Sequence, residues 1–338
     1  MLVVMQHQAS EEQIAGVVRA IREMGLDAHP MPGATRTAIG VTGNAEAIDA
    51  TRLESFPGVL ELVRVTKPYK LVSREMQPDD TLIELPPTCI GAGTFTIIAG
   101  PCSVESEENI MEVARELTRR GVHLLRAGAF KPRTSPYSFQ GMEQAGLDIL
   151  AKAREETGIR IVTEVMDAEH VSAVEDAADI LQVGTRNMQN YSLLKRLARS
   201  RHPVLLKRGM SATLDEWLMA AEYLMAGGNR KVILCERGVR TFADHTRNTL
   251  DLSVIPPVKQ LSHLPIIVDP SHGTGRRDYV PAMALAGLAA GADGLMIEVH
   301  PDPQNALSDG AQTIDFEQFD RLMESLRQLA EPLGREIN

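Results

Sequence analysis

Polar side chains recur where short apolar runs of this sequence end, and their types define what chemistry the chain could do. In "TIIAGPCSVES" a run of buried-strand residues gives way to Cys102. A thiol so placed can be a small core residue, a nucleophile or a metal ligand. Later runs end on Arg126, followed by Lys131 and Arg133, then on Glu164, Arg186, Lys207 with Arg208, and Glu236 with Arg237. The last two end on Asp269 with His272, and on Glu298 with His300, with Asp309 in the loop that follows. One set among these is cationic: Arg126, Lys131, Arg133, Arg186, Lys207 and Arg237. Guanidinium forks suit phosphate and carboxylate, so such a set is suited to holding anions. Cys102, His272, Glu298 and Asp309 form a second set. One thiolate, one imidazole and two carboxylates make a mixed site for a divalent transition metal, leaving Mn²⁺, Fe²⁺, Co²⁺ and Zn²⁺ open. Lys207, at the end of its run, suggests a second chemistry, a Schiff base with a carbonyl substrate.

For either set to act, one scaffold must gather it. From residue 95 onward the chain alternates short apolar runs with amphipathic segments. The runs are "FTIIAG", "HLLRAG", "RIVTEV", "DILQVG", "PVLLKRG", "KVILCERG", "PIIVDPSHG" and "GLMIEVH". They are β-branched and apolar throughout, as strands buried on both faces of a parallel sheet must be. Eight such units predict a (β/α)8 TIM barrel, whose functional groups gather at the C-terminal ends of the strands. Strand eight then pairs with strand one, which makes the source strands of Cys102, His272, Glu298 and Asp309 neighbours. An open doubly wound sheet is the competitor, but no GxGxxG follows the first strand. Cys235, inside "VILCERG", reads as a core cysteine.

Residues 1–67 read as a small α+β unit of order βαββαβ, the ferredoxin-like pattern. Ser10 is the expected N-cap of its first helix and Gly25 its stop. "DAHPM" and "TAIGVTG" form a hairpin, "AEAIDATRLESF" a second helix and "VLELVRVT" a last strand. Residues 68–87 read as a polar, proline-rich surface linker, and 88–338 as the barrel, with "TCIGAGTFT" as a small hairpin closing its floor.

Composition excludes several classes. Hydrophobic residues make up 43% of the 338 and charged ones 24%, as in soluble globular proteins. The formal charge of −10 argues against nucleic acid as a partner. Aromatics at 4% leave no stacking platform for single strands. No apolar run is long enough to span a membrane, the start has no basic leader, and three cysteines make no disulfide framework. A reducing cytoplasm is the expected location.

The segments "IIAGPCSVES", "LLRAGAFKPRTSPYSFQG", "VTEV", "QVGTRNMQN", "LLKRG", "LCERG", "VDPSHGTGRRD" and "IEVHPDPQNALSDGAQ" together resemble the 3-deoxy-D-arabino-heptulosonate 7-phosphate (DAHP) synthases. The resemblance extends to the N-terminal unit, which marks the subgroup with a ferredoxin-like regulatory domain. It implies an aldol-type condensation of phosphoenolpyruvate with erythrose 4-phosphate and water, the first step of the shikimate pathway. By motif, Cys102, His272, Glu298 and Asp309 are then metal ligands. Arg126, Lys131, Arg186, Lys207 and Arg237 hold phosphoenolpyruvate, and Arg133 with Thr134 the aldose phosphate. Glu164 with Lys131 is the implied proton-transfer pair, with His272 as the alternative. The resemblance further implies feedback by tyrosine or phenylalanine, with His29 a candidate contact, and assembly as a homotetramer. The sister octulosonate phosphate synthases share the barrel but lack the N-terminal unit and carry a different segment in place of "KPRTS". A silent sensor built on the same barrel would have lost the metal ligands, and all four are present.

Overall fold

Ser10 starts the first helix because its side chain accepts the Gln13 N–H while the Gln13 side chain accepts the Ser10 N–H, a reciprocal cap on two otherwise unpaired donors. In the computed structural model, residues 1–33, 36–43, 51–63, 68–132, 135 and 137–338 are described. They divide into two units, Met1–Asp79 with Gln260–His263, and Asp80–Lys259 with Leu264–Asn338.

The smaller unit runs β1 (Leu2–Met5), α1 (Glu11–Glu23), β2 (Asp27–Pro32), β3 (Thr37–Thr42), α2 (Thr51–Glu54) and β4 (Val59–Val63). Its sheet has the order β2-β3-β1-β4 with antiparallel pairing, the ferredoxin-like arrangement. Val17, Ala20 and Ile21 lie on one face of α1 and share a core with Val3, Met5, Ile39, Val41 and Leu53. Gly25 ends that helix in the left-handed region at φ 75°, which glycine adopts without steric penalty. Ala34 and Thr35 of the turn between β2 and β3 and the first half of the expected second helix fall outside the described residues.

The stretch expected to be a surface linker is not one. Tyr69, Leu71, Val72 and Met76 are all fully or almost fully buried. Further on, β5 (Ile83–Leu85) and β6 (Thr88–Ile90) pair antiparallel around Pro86 and Pro87. The floor hairpin therefore begins earlier than expected, and "TFT" belongs to the first barrel strand. Prolines and charges dominated the composition of this stretch, while the alternation that points Ile83 and Leu85 inward spans only three residues.

The larger unit is the barrel. Strands β7 (Thr94–Gly100), β8 (Leu124–Arg126), β9 (Arg160–Glu164), β10 (Ile180–Val183), β11 (Val204–Lys207), β12 (Val232–Glu236), β13 (Ile266–Val268) and β14 (Gly294–Glu298) pair in parallel in chain order. The sheet closes where β14 pairs with β7, from Gly294 opposite Thr96 to Glu298 opposite Gly100. Ile83, Leu85 and Ile90 of the hairpin cluster with buried residues of all eight strands, among them Ile98, Leu124, Leu205 and Met296. A last short strand, β15 (Glu336–Ile337), pairs with the start of β7. Among the described residues no helix is long and apolar enough to cross a membrane.

Ile90 is fully buried in the floor cluster. Ile90→Ala should cost about 2–5 kcal/mol of stability, the usual scale for emptying such a site. The midpoint of urea unfolding, followed by the fluorescence of buried Trp217, measures it.

Candidate active site at the barrel mouth

Sheet closure sets the first pair of groups. Glu298 ends β14 opposite Gly100, and Pro101 and Cys102 follow directly. Gly100 is required there: its φ is 145°, and a Cβ would lie 2.2 Å from the Arg126 carbonyl oxygen. Beyond β13, Asp269 caps the short helix Pro270–Thr274 by accepting the His272 N–H at 2.9 Å. That cap turns His272 toward Glu298, with Nε2 3.4 Å from Glu298 Oε1 and 3.9 Å from Asp309 Oδ2. Asp309 comes from the loop after β14, held in the left-handed region at φ 53°. Its Oδ2 is 3.3 Å from Cys102 Sγ. One ligand atom from each of Cys102, His272, Glu298 and Asp309 lies within 4.8 Å of the other three.

The electrostatics of this cluster suit a cation. Burial, then Glu298, pushes the Cys102 thiol up to about 12. Burial also lowers His272, outweighing the pull of Asp269 and Glu298, so its imidazole is neutral near pH 7. Its Nδ1 faces Asp269 Oδ2 at 2.8 Å, close but poorly aligned for a hydrogen bond. Nε2 is left for the cluster, the arrangement of a histidine backed by a carboxylate. Burial works against the Asp309 charge, yet His272 and Arg247, with Cys102 and Lys131, hold its carboxyl down at about 2. Two carboxylates, a thiol and an imidazole nitrogen thus converge on one place, a donor set that suits a cation.

Around the cluster lies a cavity of about 410 Å³ lined by Arg126, Lys131, Glu164, Arg186, Lys207 and Arg237, among others. Arg126 gives Nη1 to Glu298 Oε1 at 2.9 Å and to the Pro101 carbonyl at 2.8 Å, while its buried Nε has no partner among the described residues. Burial opposes its charge, but Glu298, Cys102 and Asp269 together raise its pKa. Lys207 Nζ is bound to Asp269 Oδ2 at 2.7 Å, with both groups buried. Lys131 Nζ sits 3.1 Å from Cys102 Sγ and 2.9 Å from its carbonyl. Among the described residues Arg186 and Arg237 pair with no carboxylate, and burial lowers the Arg237 pKa. Glu164 accepts Gln182 Nε2 at 3.1 Å. Its carboxylate fills the space a side chain at position 184 would take, since a Cβ on Gly184 would lie 2.0 Å from Oε1.

Other strand-end groups are framework. Arg208 binds Glu236 at 3.0 Å and Asp251 at 2.9 Å. His300 accepts the Asp302 N–H at Nδ1 and faces Glu105 at Nε2. Cys235 is buried in the floor cluster. Arg133 and Thr134 lie outside the described residues. His29 belongs to the smaller unit, half-buried on β2, with Nε2 2.8 Å from Thr42 Oγ1. The cavity also includes Arg240 and Arg247, which inspection of strand ends missed because they lie deep in the loop after β12. The signal was the density of arginine in "ERGVRTFADHTRN".

Residues 74–334 match the DAHP synthetase I family, and residues 1–67 match the DAHP synthase ferredoxin-like domain. Over 338 residues, 100% of both chains, the sequence is 49% identical to the phospho-2-dehydro-3-deoxyheptonate aldolase of Thermotoga maritima. A crystal structure of that aldolase (DAHP synthase) has a TM-score of 0.80 to this chain, covering 100% of it and 99% of the other. A truncated 3-deoxy-D-arabino-heptulosonate 7-phosphate synthase from the same organism, 48% identical, reaches 0.75 over 80% of this chain and 99% of its own. The 2-dehydro-3-deoxyphosphooctonate aldolase of Rhodopseudomonas palustris is 34% identical over 254 residues, 69% of this chain and 86% of that one.

Asp269 joins Lys207 to His272, so Asp269→Asn should destabilise the fold by about 3–5 kcal/mol at pH 7, the scale for breaking a buried pair. Despite burial, His272 and Lys207 hold its carboxyl well below the ordinary 3.8. A depressed carboxyl contributes fully above its unfolded value and loses that contribution as pH falls through the folded one. Urea unfolding should therefore show the native protein more stable than the variant from pH 8 down to about pH 5, the gap closing only below that.

Proposed function

The chain belongs to the DAHP synthetase I family and is a 3-deoxy-7-phosphoheptulonate synthase, joining phosphoenolpyruvate to erythrose 4-phosphate; on that premise we propose that the barrel-mouth cavity performs the condensation around a divalent metal held by Cys102, His272, Glu298 and Asp309. The observation that carries this is the convergence of four donor atoms within 4.8 Å on the wall of a cation-lined cavity. When bound, the metal supplies Lewis acidity toward the aldehyde oxygen.

The remaining chemistry falls to the chain's own side chains. Arg186 and Arg237, which spend no charge on carboxylates, take the phosphate and carboxylate of phosphoenolpyruvate with Lys131, Lys207 and the unpartnered Nε of Arg126. Arg133 and Thr134 hold the aldose phosphate. The two anions so fixed bring the enol carbon against the aldehyde carbon, and much of the rate comes from that orientation. Carbon–carbon bond formation leaves an electron-poor C2, which adds water. Glu164, steadied by Gln182, accepts the water proton, and Lys131, which lines the same cavity, gives one to the nascent alkoxide. The tetrahedral phosphohemiketal then breaks its C2–O–phosphate bond as its hydroxyl becomes the ketone, the hydroxyl proton leaving on the inorganic phosphate, which departs from the arginines that held it. His272 is less suited to proton transfer, since Asp269 backs one ring nitrogen and the ligand cluster takes the other. A Schiff base at Lys207 is disfavoured by its buried ion pair with Asp269.

The smaller unit supplies control in this proposal: an aromatic amino acid, tyrosine or phenylalanine, binds it and lowers activity in a homotetramer. Its match to the DAHP synthase ferredoxin-like domain supports this. His29 is the proposed contact.

Phosphate release from the two substrates should vanish after EDTA treatment and return with Mn²⁺. In Cys102→Ala it should stay at least about 100-fold down, the scale of losing several kcal/mol of transition-state stabilisation. Arabinose 5-phosphate in place of erythrose 4-phosphate should give little product; efficient use of it would favour the octulosonate reaction instead. Titration of the full chain with tyrosine and with phenylalanine should show one of them inhibiting, more weakly in His29→Ala. Flat responses to both would remove the proposed control.

A further inference from the structure

The two carboxylates of the cluster each turn one oxygen inward and one outward, and the outward oxygens meet a connected pair of side chains. Glu298 Oε1 faces His272 and Arg126, while its Oε2 accepts Gln312 Nε2 at 2.6 Å. Asp309 Oδ2 faces Cys102 and His272, while its Oδ1 lies 3.4 Å from Arg247 Nη1. Arg247 Nη1 also donates to Gln312 Oε1 at 3.0 Å. The amide of Gln312 therefore has one orientation that satisfies both ends, oxygen to Arg247 and nitrogen to Glu298. Asp309, Arg247, Gln312 and Glu298 form a continuous chain behind the cluster.

Both links are built to hold still. Gln312 is buried, and its backbone N–H donates to the Asp309 carbonyl, which ties it to the same turn as the ligand. The Arg247 backbone N–H donates to Thr274 O, and its stem packs on Gly275, where a Cβ would approach the Arg247 Cβ to 2.5 Å. Gly275 also has φ 68°, so glycine is needed there twice over.

We propose that Gln312 and Arg247 are positioning residues that lock the inner oxygens of Glu298 and Asp309 onto one point, and so set the affinity of the site for its metal. The proposal rests on the four-ligand metal site described above. Without the clamp Glu298 keeps its Arg126 bond and Asp309 its Cys102 contact, but the outer oxygens are released, and two like charges this close favour turning apart. Partners that orient ligand carboxylates carry a characteristic weight, about 10–100-fold in metal affinity when removed.

Co²⁺ is the probe, added to metal-free full-length protein without substrate. Binding is followed by calorimetry and by the thiolate-to-cobalt absorption band that reports Cys102. Unsubstituted protein should bind one equivalent and show the band. Gln312→Leu, which keeps the bulk and removes both amide bonds, should bind roughly 10–100-fold more weakly with a shifted band while its circular dichroism stays native. Arg247→Ala, at a half-exposed side chain, should weaken binding by about 5-fold or more, with Arg247→Lys recovering part of the loss. If Gln312→Leu does not fold, the Arg247 pair decides. Failure of the unsubstituted protein to bind Co²⁺ overturns the metal site, and the clamp with it. Normal binding by the unsubstituted protein, with both variants within about 2-fold of it, overturns the clamp alone.

Discussion

The pairing of β14 with β7 is the constraint on which the site depends. Among the eight barrel strands each other pair joins neighbours in sequence, but this one joins segments about two hundred residues apart and brings Glu298 beside Gly100 and the Cys102 turn. An open sheet of the same strands would leave Cys102 at one edge and the groups after β13 and β14 at the other. Closure also explains the floor. Once the strands form a ring, their inward residues at the lower end converge, and the hairpin Ile83–Ile90 fills the space they cannot. The apolar packing at one end of the barrel is the counterpart of the charged convergence at the other.

Charge at the mouth is arranged by sharing, with few isolated pairs. Asp269 serves Lys207 and backs His272; Glu298 serves Arg126, Gln312 and the ligand cluster. Burying so many ionic groups is unfavourable unless each has partners, and a missing partner costs more than a pair gains. Two groups of side chains stand out against that rule. Four donor atoms of Cys102, His272, Glu298 and Asp309 lie within 4.8 Å of one another, and among the described residues Arg186 and Arg237 pair with no carboxylate while lining the same cavity. The proposed metal and phosphoenolpyruvate would each meet the group whose charge opposes its own.

Much of this was legible in the sequence because a parallel barrel ties function to strand ends. The apolar runs locate the strands, and the residues after them include the whole donor cluster and Arg126, Glu164, Arg186, Lys207 and Arg237. The same rule cannot separate framework from function. Arg208 and Glu236 stand at strand ends like the others, yet they satisfy each other, and only side-chain geometry shows it. Nor does it reach Arg240, Arg247 or Gln312, which enter the cavity or its backing from the interiors of loops. The segment 68–87 was misread because composition reports average polarity, while burial is decided by single residues such as Tyr69 and Leu71.

The difference between strand ends and loops also orders the groups by the precision they need. Cys102, Glu298 and His272 follow closely on β7, β14 and β13, whose hydrogen bonds fix their backbones. Asp309 is the exception, in a loop and in a left-handed conformation that non-glycine residues rarely hold. A ligand so placed has no strand to locate it, so side chains must. Arg247 reaches its Oδ1, and Gln312 joins Arg247 to Glu298. The barrel therefore sets the backbones of three members of the cluster, and the side-chain network touches the fourth as well as Glu298.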